Sequence, residues 1–182
     1  MDKLLNMMYL LGPVGSGKSS LLCALLGELH RHKGKVSMSG TVAYCDQRSW
    51  INNDTVEGNI LLGLPYNEEK LNHAIYAACL DDDIKVLSGG LKTQIGEKGV
   101  NLSGGQKARV SFARAVYADS DLYLLDDPLS AVDAHVGQFL FRETICNILK
   151  SKTRIMVTHQ VQYLPYCDQI IALRDGASRI TL

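Results

Sequence analysis

Short apolar runs and helix-spaced leucines alternate along the chain, and each pattern predicts a different kind of element. The run Met7 to Leu11 is apolar without alternation, as expected of a parallel strand buried on both faces. Leu21, Leu22, Leu25, Leu26 and Leu29 recur at helical spacing and predict a helix from Lys18 to Leu29. Residues 36–44 read as strand–turn–strand around Ser39-Gly40. Helical stretches follow at about 54–62, 67–80 and 81–87, the second with Leu71, Ile75 and Ala78 on one face. Glycine-rich loops occupy 88–105, and a helix runs from Gly104 to Tyr117. A strand at 122–126, a helix at 133–149 and strands at 154–158 and 169–173 complete the pattern. The order is that of an α/β parallel sheet carrying an inserted α-helical subdomain. It divides a single domain into a core of about 1–50 and 118–182 and an insert of about 51–117.

Composition sharpens this picture without redirecting it. With 46% hydrophobic and 21% charged residues the chain can bury a core, which excludes disorder throughout. Lys and Arg number 19 against 19 for Asp and Glu, so the field of a general nucleic-acid binder is missing and no nucleic-acid partner is expected. The longest apolar run, Ala74 to Leu80, falls far short of the roughly 18 residues that span a bilayer. The opening MDKLLNMMYLL has a leader's charge-then-apolar order, but Gly12-Pro13 follow it with no small-residue cleavage pattern. Cys23, Cys45, Cys79, Cys146 and Cys167 lie far apart with no CxxC pair, which favours reduced thiols over a metal site or disulfide framework.

Chemistry enters at residues 12–19. Gly12-Pro13-Val14-Gly15-Ser16-Gly17-Lys18-Ser19 matches GxxxxGK[ST], between a strand and a helix as that motif requires. The glycines let successive N–H groups curl toward phosphate oxygens at the positive end of a helix. Lys18 supplies a cation, and Ser19 a hydroxyl for Mg²⁺; Ser20 closes the loop. A nucleotidase of this kind also needs a carboxylate on a neighbouring strand, and Leu122-Tyr123-Leu124-Leu125-Asp126 ends in one. Asp127 follows it at the position of a general base. Asp is one methylene shorter than Glu, a retreat of roughly 1–1.5 Å, which makes Asp127 a weak base or none.

Leu102-Ser103-Gly104-Gly105-Gln106 opens the helix that leads to this strand, with Ser103 as its N-cap. Between a phosphate loop and an acidic strand this pentapeptide is highly specific, and here the chain resembles the nucleotide-binding domain of ATP-binding cassette (ABC) transporters. GPVGSGKSSLL, GEKGVNLSGGQKAR and YLLDDPLSAVDAHVG resemble in particular the first such domain of the multidrug-resistance-associated subfamily. The fold implied is the P-loop ABC ATPase.

The resemblance implies further roles. ATP and Mg²⁺ are the cofactors, with the phosphates held by residues 12–20 and the metal by Ser19, Gln47 and Asp126. Gln47 also touches the attacking water, and His159 contacts the γ-phosphate, so Asp127, His159 and Gln47 are the catalytic candidates. Ser130-Ala131-Val132-Asp133 crosses to a second ABC nucleotide-binding domain, paired head to tail. Leu102, Ser103, Gly104, Gly105 and Gln106 would complete that partner's ATP site. Thr93 to Gly99 resembles the segment that meets coupling helices of transmembrane domains, which places the chain at the cytoplasmic face of a membrane. Three departures qualify the likeness. No aromatic residue that could stack on adenine lies upstream apart from Tyr9, whose strand should point it into the sheet, so the cassette reads as N-terminally truncated, with reduced adenine affinity. Leu91 stands where the subfamily has Asp, and Ala177 to Leu182 leave the family pattern. A transport ATPase subunit is the leading reading. A regulatory ATP-binding module without turnover at its own site is the second, and an inert fragment the third; a DNA-repair or translation cassette is disfavoured by TQIGEKG.

Overall fold

The computed structural model describes residues 6–97 and 99–181, the side chains of 179–181 excepted. The opening residues 1–5, Lys98 of the TQIGEKG segment and Leu182 lie outside the described residues. In chain order the elements begin with β1 (Met7–Leu11), α1 (Lys18–Leu26), β2 (Val42–Cys45) and β3 (Asp54–Thr55). The helices α2 (Val56–Leu61), α3 (Glu68–Ala77) and α4 (Asp81–Val86) follow, then a 3₁₀ turn at Gly90–Lys92 and β4 (Gln94–Ile95). Next come α5 (Gly104–Ala118), β5 (Leu122–Asp126), α6 (Ala134–Phe139) and a π-helical continuation at Leu140–Ile148. β6 (Thr153–Val157), a 3₁₀ segment at Val161–Tyr166, β7 (Gln169–Arg174) and β8 (Ala177–Thr181) close the chain.

The main sheet runs β2-β5-β6-β1-β7-β8, parallel except for β8, which pairs antiparallel with β7. Its inner strands read as unbroken apolar runs because both faces are covered. Tyr9 and Met7 of β1 and Tyr123 and Leu125 of β5 enter the larger core, while Leu10 and Leu124 join Leu22 and Val157 in a smaller one beneath α1. Tyr9 is fully buried, as its strand position predicts. The parallel register brings the C-terminal ends of β1, β2, β5 and β6 to one edge, where the loops carrying the phosphate motif, Gln47, Asp126 and His159 emerge. The segment from α2 to α5 is predominantly helical. α5 buries Val110, Phe112, Ala113 and Tyr117, and the Tyr117 hydroxyl donates to Pro65 O at 2.5 Å.

The structure corrects four expectations. α1 stops at Leu26, not Leu29, because Gly27 takes a left-handed φ of 82° and its N–H donates back to Ala24 O, leaving Leu29 outside at 47% exposure. Residues 36–44 yield a strand only from Val42; Val36 and Met38 are exposed, and alternation without a paired neighbour makes no ladder. The glycine-rich 88–105 stretch holds the 3₁₀ turn and β4, which pairs antiparallel with β3. The helix expected over 133–149 is α-helical only to Phe139 and then widens: Leu149 N–H reaches Thr144 O, five residues back, at 2.9 Å. Beyond these, β8 adds a strand after the one expected to be last, from residues that depart from the family pattern.

Candidate phosphate and metal site

The phosphate loop is shaped by glycine where no other residue fits. Gly12, Gly15 and Gly17 have φ of 154°, 81° and 97°. A Cβ at Gly12 would collide with the Leu173 carbonyl oxygen and Ser16 Oγ, so β7 backs directly onto the loop. A Cβ at Gly15 would meet nothing, because that side opens into a cavity of about 170 Å³ lined by Gly15, Gly17, Lys18, Ser19 and Ser20. Lys18 is buried, and its Nζ donates to Gly12 O at 2.8 Å and Pro13 O at 2.9 Å. Ser16 Oγ is buried without a partner among the described residues. Pro13 and Val14 form the exposed crest of the loop.

Two carboxylates stand near this cradle, Asp126 at the end of β5 and Asp127 just after it. The Ser19 side chain lies beside Asp126, and Lys18, Asp46 and His159 lie within electrostatic reach. Burial raises the Asp126 pKa, with the neighbouring Ser19 hydroxyl pulling the other way. Asp127 sits in a left-handed turn, φ 49°, with its N–H donated to Val157 O at 3.0 Å and its carbonyl accepting from Ser130 Oγ at 2.8 Å. Burial again dominates and raises its pKa, opposed most by His159 and in smaller measure by Lys18 and the neighbouring Gln47.

A second cavity of about 500 Å³ joins Ser19, Gln47 and Asp126 to Tyr44, Asp46 and Trp50. Lys18, Ser19, Gln47, Asp126, Asp127 and His159 therefore lie within reach of one another at this edge of the sheet. Leu102 to Gln106 line neither cavity. There Ser103 and Gln106 form a reciprocal capping box: Gln106 N–H donates to Ser103 Oγ at 3.2 Å, and Ser103 N–H to Gln106 Oε1 at 2.9 Å. Gln106 Nε2 donates to Asp83 Oδ1 at 3.0 Å, so its amide is engaged at both ends. Gly104 is open, whereas a Cβ at Gly105 would press on Ala131 O at 3.1 Å.

Three participants escaped the sequence reading. Asp83 pairs with Arg109 at 2.6 Å beneath the Leu102–Gln106 turn, and nothing distinguishes it from Asp81 and Asp82 in sequence. Arg114 stacks its guanidinium 3.8 Å from the Trp50 ring centroid, a contact between residues far apart along the chain. Asp46, beside Gln47, joins the site electrostatics, and adjacency was its only available signal.

The residues present fit a magnesium nucleotide. A curled loop with one open glycine, a buried ammonium and an orphaned buried hydroxyl offers donors to phosphate oxygens. Ser19 and Asp126 supply the hard oxygen donors that Mg²⁺ selects.

Comparison with known proteins agrees with this chemistry. A family model described as "ABC transporter" matches residues 5–130. ABC transporter C family member 8 of Dictyostelium discoideum is 53% identical over 174 residues, covering 94% of this chain and 11% of that protein. ATP-binding cassette sub-family C member 2 of Homo sapiens is 50% identical over 173 residues, again 94% and 11%. Multidrug resistance protein mrp-7 of Caenorhabditis elegans is 51% identical over 173 residues with the same coverage. The chain thus spans about a ninth of the length of these relatives.

Proposed function

The chain belongs to the ABC transporter family, and on that premise we propose that it is an ATP-binding cassette domain coupling nucleotide binding and hydrolysis to export across a membrane. The convergence of Lys18, Ser19 and Asp126 on the glycine cradle carries this reading. In it, the N–H groups of residues 12–20 and the Lys18 ammonium hold the phosphates, Lys18 releasing the Gly12 and Pro13 carbonyls to do so. Ser19, Gln47 and Asp126 hold Mg²⁺, which supplies charge neutralisation for phosphoryl transfer. Gln47 and Asp127 orient the attacking water, and His159 faces the γ-phosphate.

Leu102, Ser103, Gly104, Gly105 and Gln106 serve the ATP site of a second ABC nucleotide-binding domain paired head to tail, and Ser130 to Asp133 lie across the same junction. Transmembrane domains engage through their coupling helices, so the domain works at the cytoplasmic face of the membrane; the transported solute is set by those domains. Among the described residues no helix is long and apolar enough to cross a membrane.

The short Asp127 side chain supports a second reading for the local site, in which ATP is retained with little turnover. Equilibrium binding of MgATP tests the first reading: Lys18→Ala is expected to weaken it by at least about tenfold, and unchanged affinity would overturn the assignment. For the second, Asp127→Glu is expected to raise hydrolysis at this site when the domain is paired.

A further inference from the structure

His159 is exposed on the turn after β6, and its backbone is held on both sides. Before it, the β6 ladder ends at Val157, whose carbonyl accepts the Asp127 N–H. After it, the Gln160 N–H donates 3.1 Å to Thr158 Oγ1, closing a three-residue turn with His159 at its centre. Thr158 is 1% exposed. At the end of an apolar strand a valine would fill the same volume with the same β-branched fit. What the hydroxyl adds is the turn, which has His159 at its centre.

We propose that Thr158 is a positioning residue for His159, fixing the imidazole where the terminal phosphate of a bound nucleotide lies. This rests on the reading of the glycine loop as an ATP site. The hydroxyl touches no substrate atom in this arrangement; it acts by removing the freedom of the 158–160 backbone, so that the ring is aimed before nucleotide arrives. Without it, His159 retains its chemistry and loses its direction, and a misplacement near 1 Å is enough to forfeit a directed hydrogen bond. ADP lacks the phosphate that His159 would meet, so the preference for ATP over ADP isolates this effect from general weakening of the loop.

The test is equilibrium binding of MgATP and MgADP to the 182-residue chain and its variants. His159→Ala is expected to lower the ATP-to-ADP affinity ratio by about tenfold, the size of one charge-assisted hydrogen bond. Thr158→Val is expected to lower the same ratio by roughly three- to tenfold while leaving MgADP affinity unchanged. Thr158→Ser, which keeps the hydroxyl, should retain the wild-type ratio. In the His159→Ala background, Thr158→Val should have no further effect, as required of a residue that acts through another. An unchanged ratio in Thr158→Val, an equal loss in both backgrounds, or a loss in Thr158→Ser overturns the proposal. Should Thr158→Val not fold, Thr158→Ala and the serine variant decide by the same ratios. A wild-type chain that binds neither nucleotide overturns the ATP-site reading itself, which separates the two failures.

Discussion

At the scale of single residues, the site is held in a state that favours ligand over stability. Asp126 and Asp127 are buried side by side, and desolvation raises both pKa values despite the opposing influence of Ser19 on the first and His159 on the second. The sign follows directly. A carboxyl whose folded pKa exceeds its unfolded value binds protons more tightly when folded, so ionising it destabilises the fold. The penalty opens as pH rises through the ordinary carboxylate value of about 3.9 and is complete above the raised folded values. Asp127→Asn is therefore expected to raise Tm at pH 7 by roughly 2–6 °C, consistent with the ~0.5–2 kcal/mol typical of relieved functional sites. The gain should shrink to nothing near pH 3, and thermal scans across that range check it. Ser103 shows the opposite balance, since its hydroxyl is committed to the α5 N-terminus. Ser103→Ala should cost about 1 kcal/mol in urea unfolding, without altering nucleotide binding at this chain's own loop. Both carboxylates and the cap could be named from sequence because each sits at a fixed offset from a motif. Thr158 could not, because a lone threonine at a strand end has the pattern of any β-former until its turn is seen.

Secondary-structure elements were legible where one periodicity ruled and illegible where tertiary partners decided. β5 begins and ends as its apolar run predicts, and α5 agrees to within a residue, because burial and the Ser103 cap both act locally. The Leu140–Ile148 stretch kept its helical pattern but not its helical winding; Thr144 is drawn to Ala77 O by a side-chain hydrogen bond that sequence does not reveal. The same non-locality governs α4. Its residue Asp83 reaches across to α5, where it meets Arg109 through both terminal guanidinium nitrogens and Gln106 through the amide. Arg109 in turn donates to Cys79 O at 2.7 Å, while Asp83 Oδ1 takes the hydrogen bonds and Oδ2 has the ion pair alone, both side chains being 16% exposed. Removing one partner strands the other. Asp83→Ala is expected to destabilise the chain by about 3 kcal/mol, read as a lower urea midpoint at constant m. Adding Arg109→Met should restore much of that loss, since replacing both charges removes the unpaired guanidinium. A double variant no better than the single one would show that packing, not charge pairing, sets the value of this contact.

Across the whole molecule, the phosphate cradle and the helical segment are joined by a short chain of contacts that crosses the sheet edge. Gln47 lines the cavity with Ser19 and Asp126 at one end, and Trp50, three positions on, lies against Arg114 of α5. Arg114 also donates from Nε to Asn59 O at 2.8 Å, and fully buried Asn59 accepts the Asn52 N–H at 2.8 Å. The residues following Gln47 are thereby tied to the helix whose other end bears Ser103. Trp50 is the chain's one tryptophan, and it lines the same cavity as Ser19, Gln47 and Asp126. With no second tryptophan to add to the signal, its emission should report on that cavity and on the contact with Arg114. Saturating MgATP is expected to shift or quench Trp50 fluorescence, with the titration midpoint matching the affinity from calorimetry. Lys18→Ala should move that midpoint in parallel with its calorimetric loss. Arg114→Met should behave differently: it withdraws the guanidinium from a ring already 46% exposed and frees the Asn59 carbonyl. Its emission should lie at longer wavelength before any nucleotide is added, with a stability loss of about 1–2 kcal/mol. Its MgATP affinity should stay at the wild-type value, because Arg114 lines neither cavity. A nucleotide response of normal size in Arg114→Met would mean that Trp50 senses the ligand directly across the cavity. A response reduced at unchanged affinity would mean that it senses the movement of the segment after Gln47 against α5.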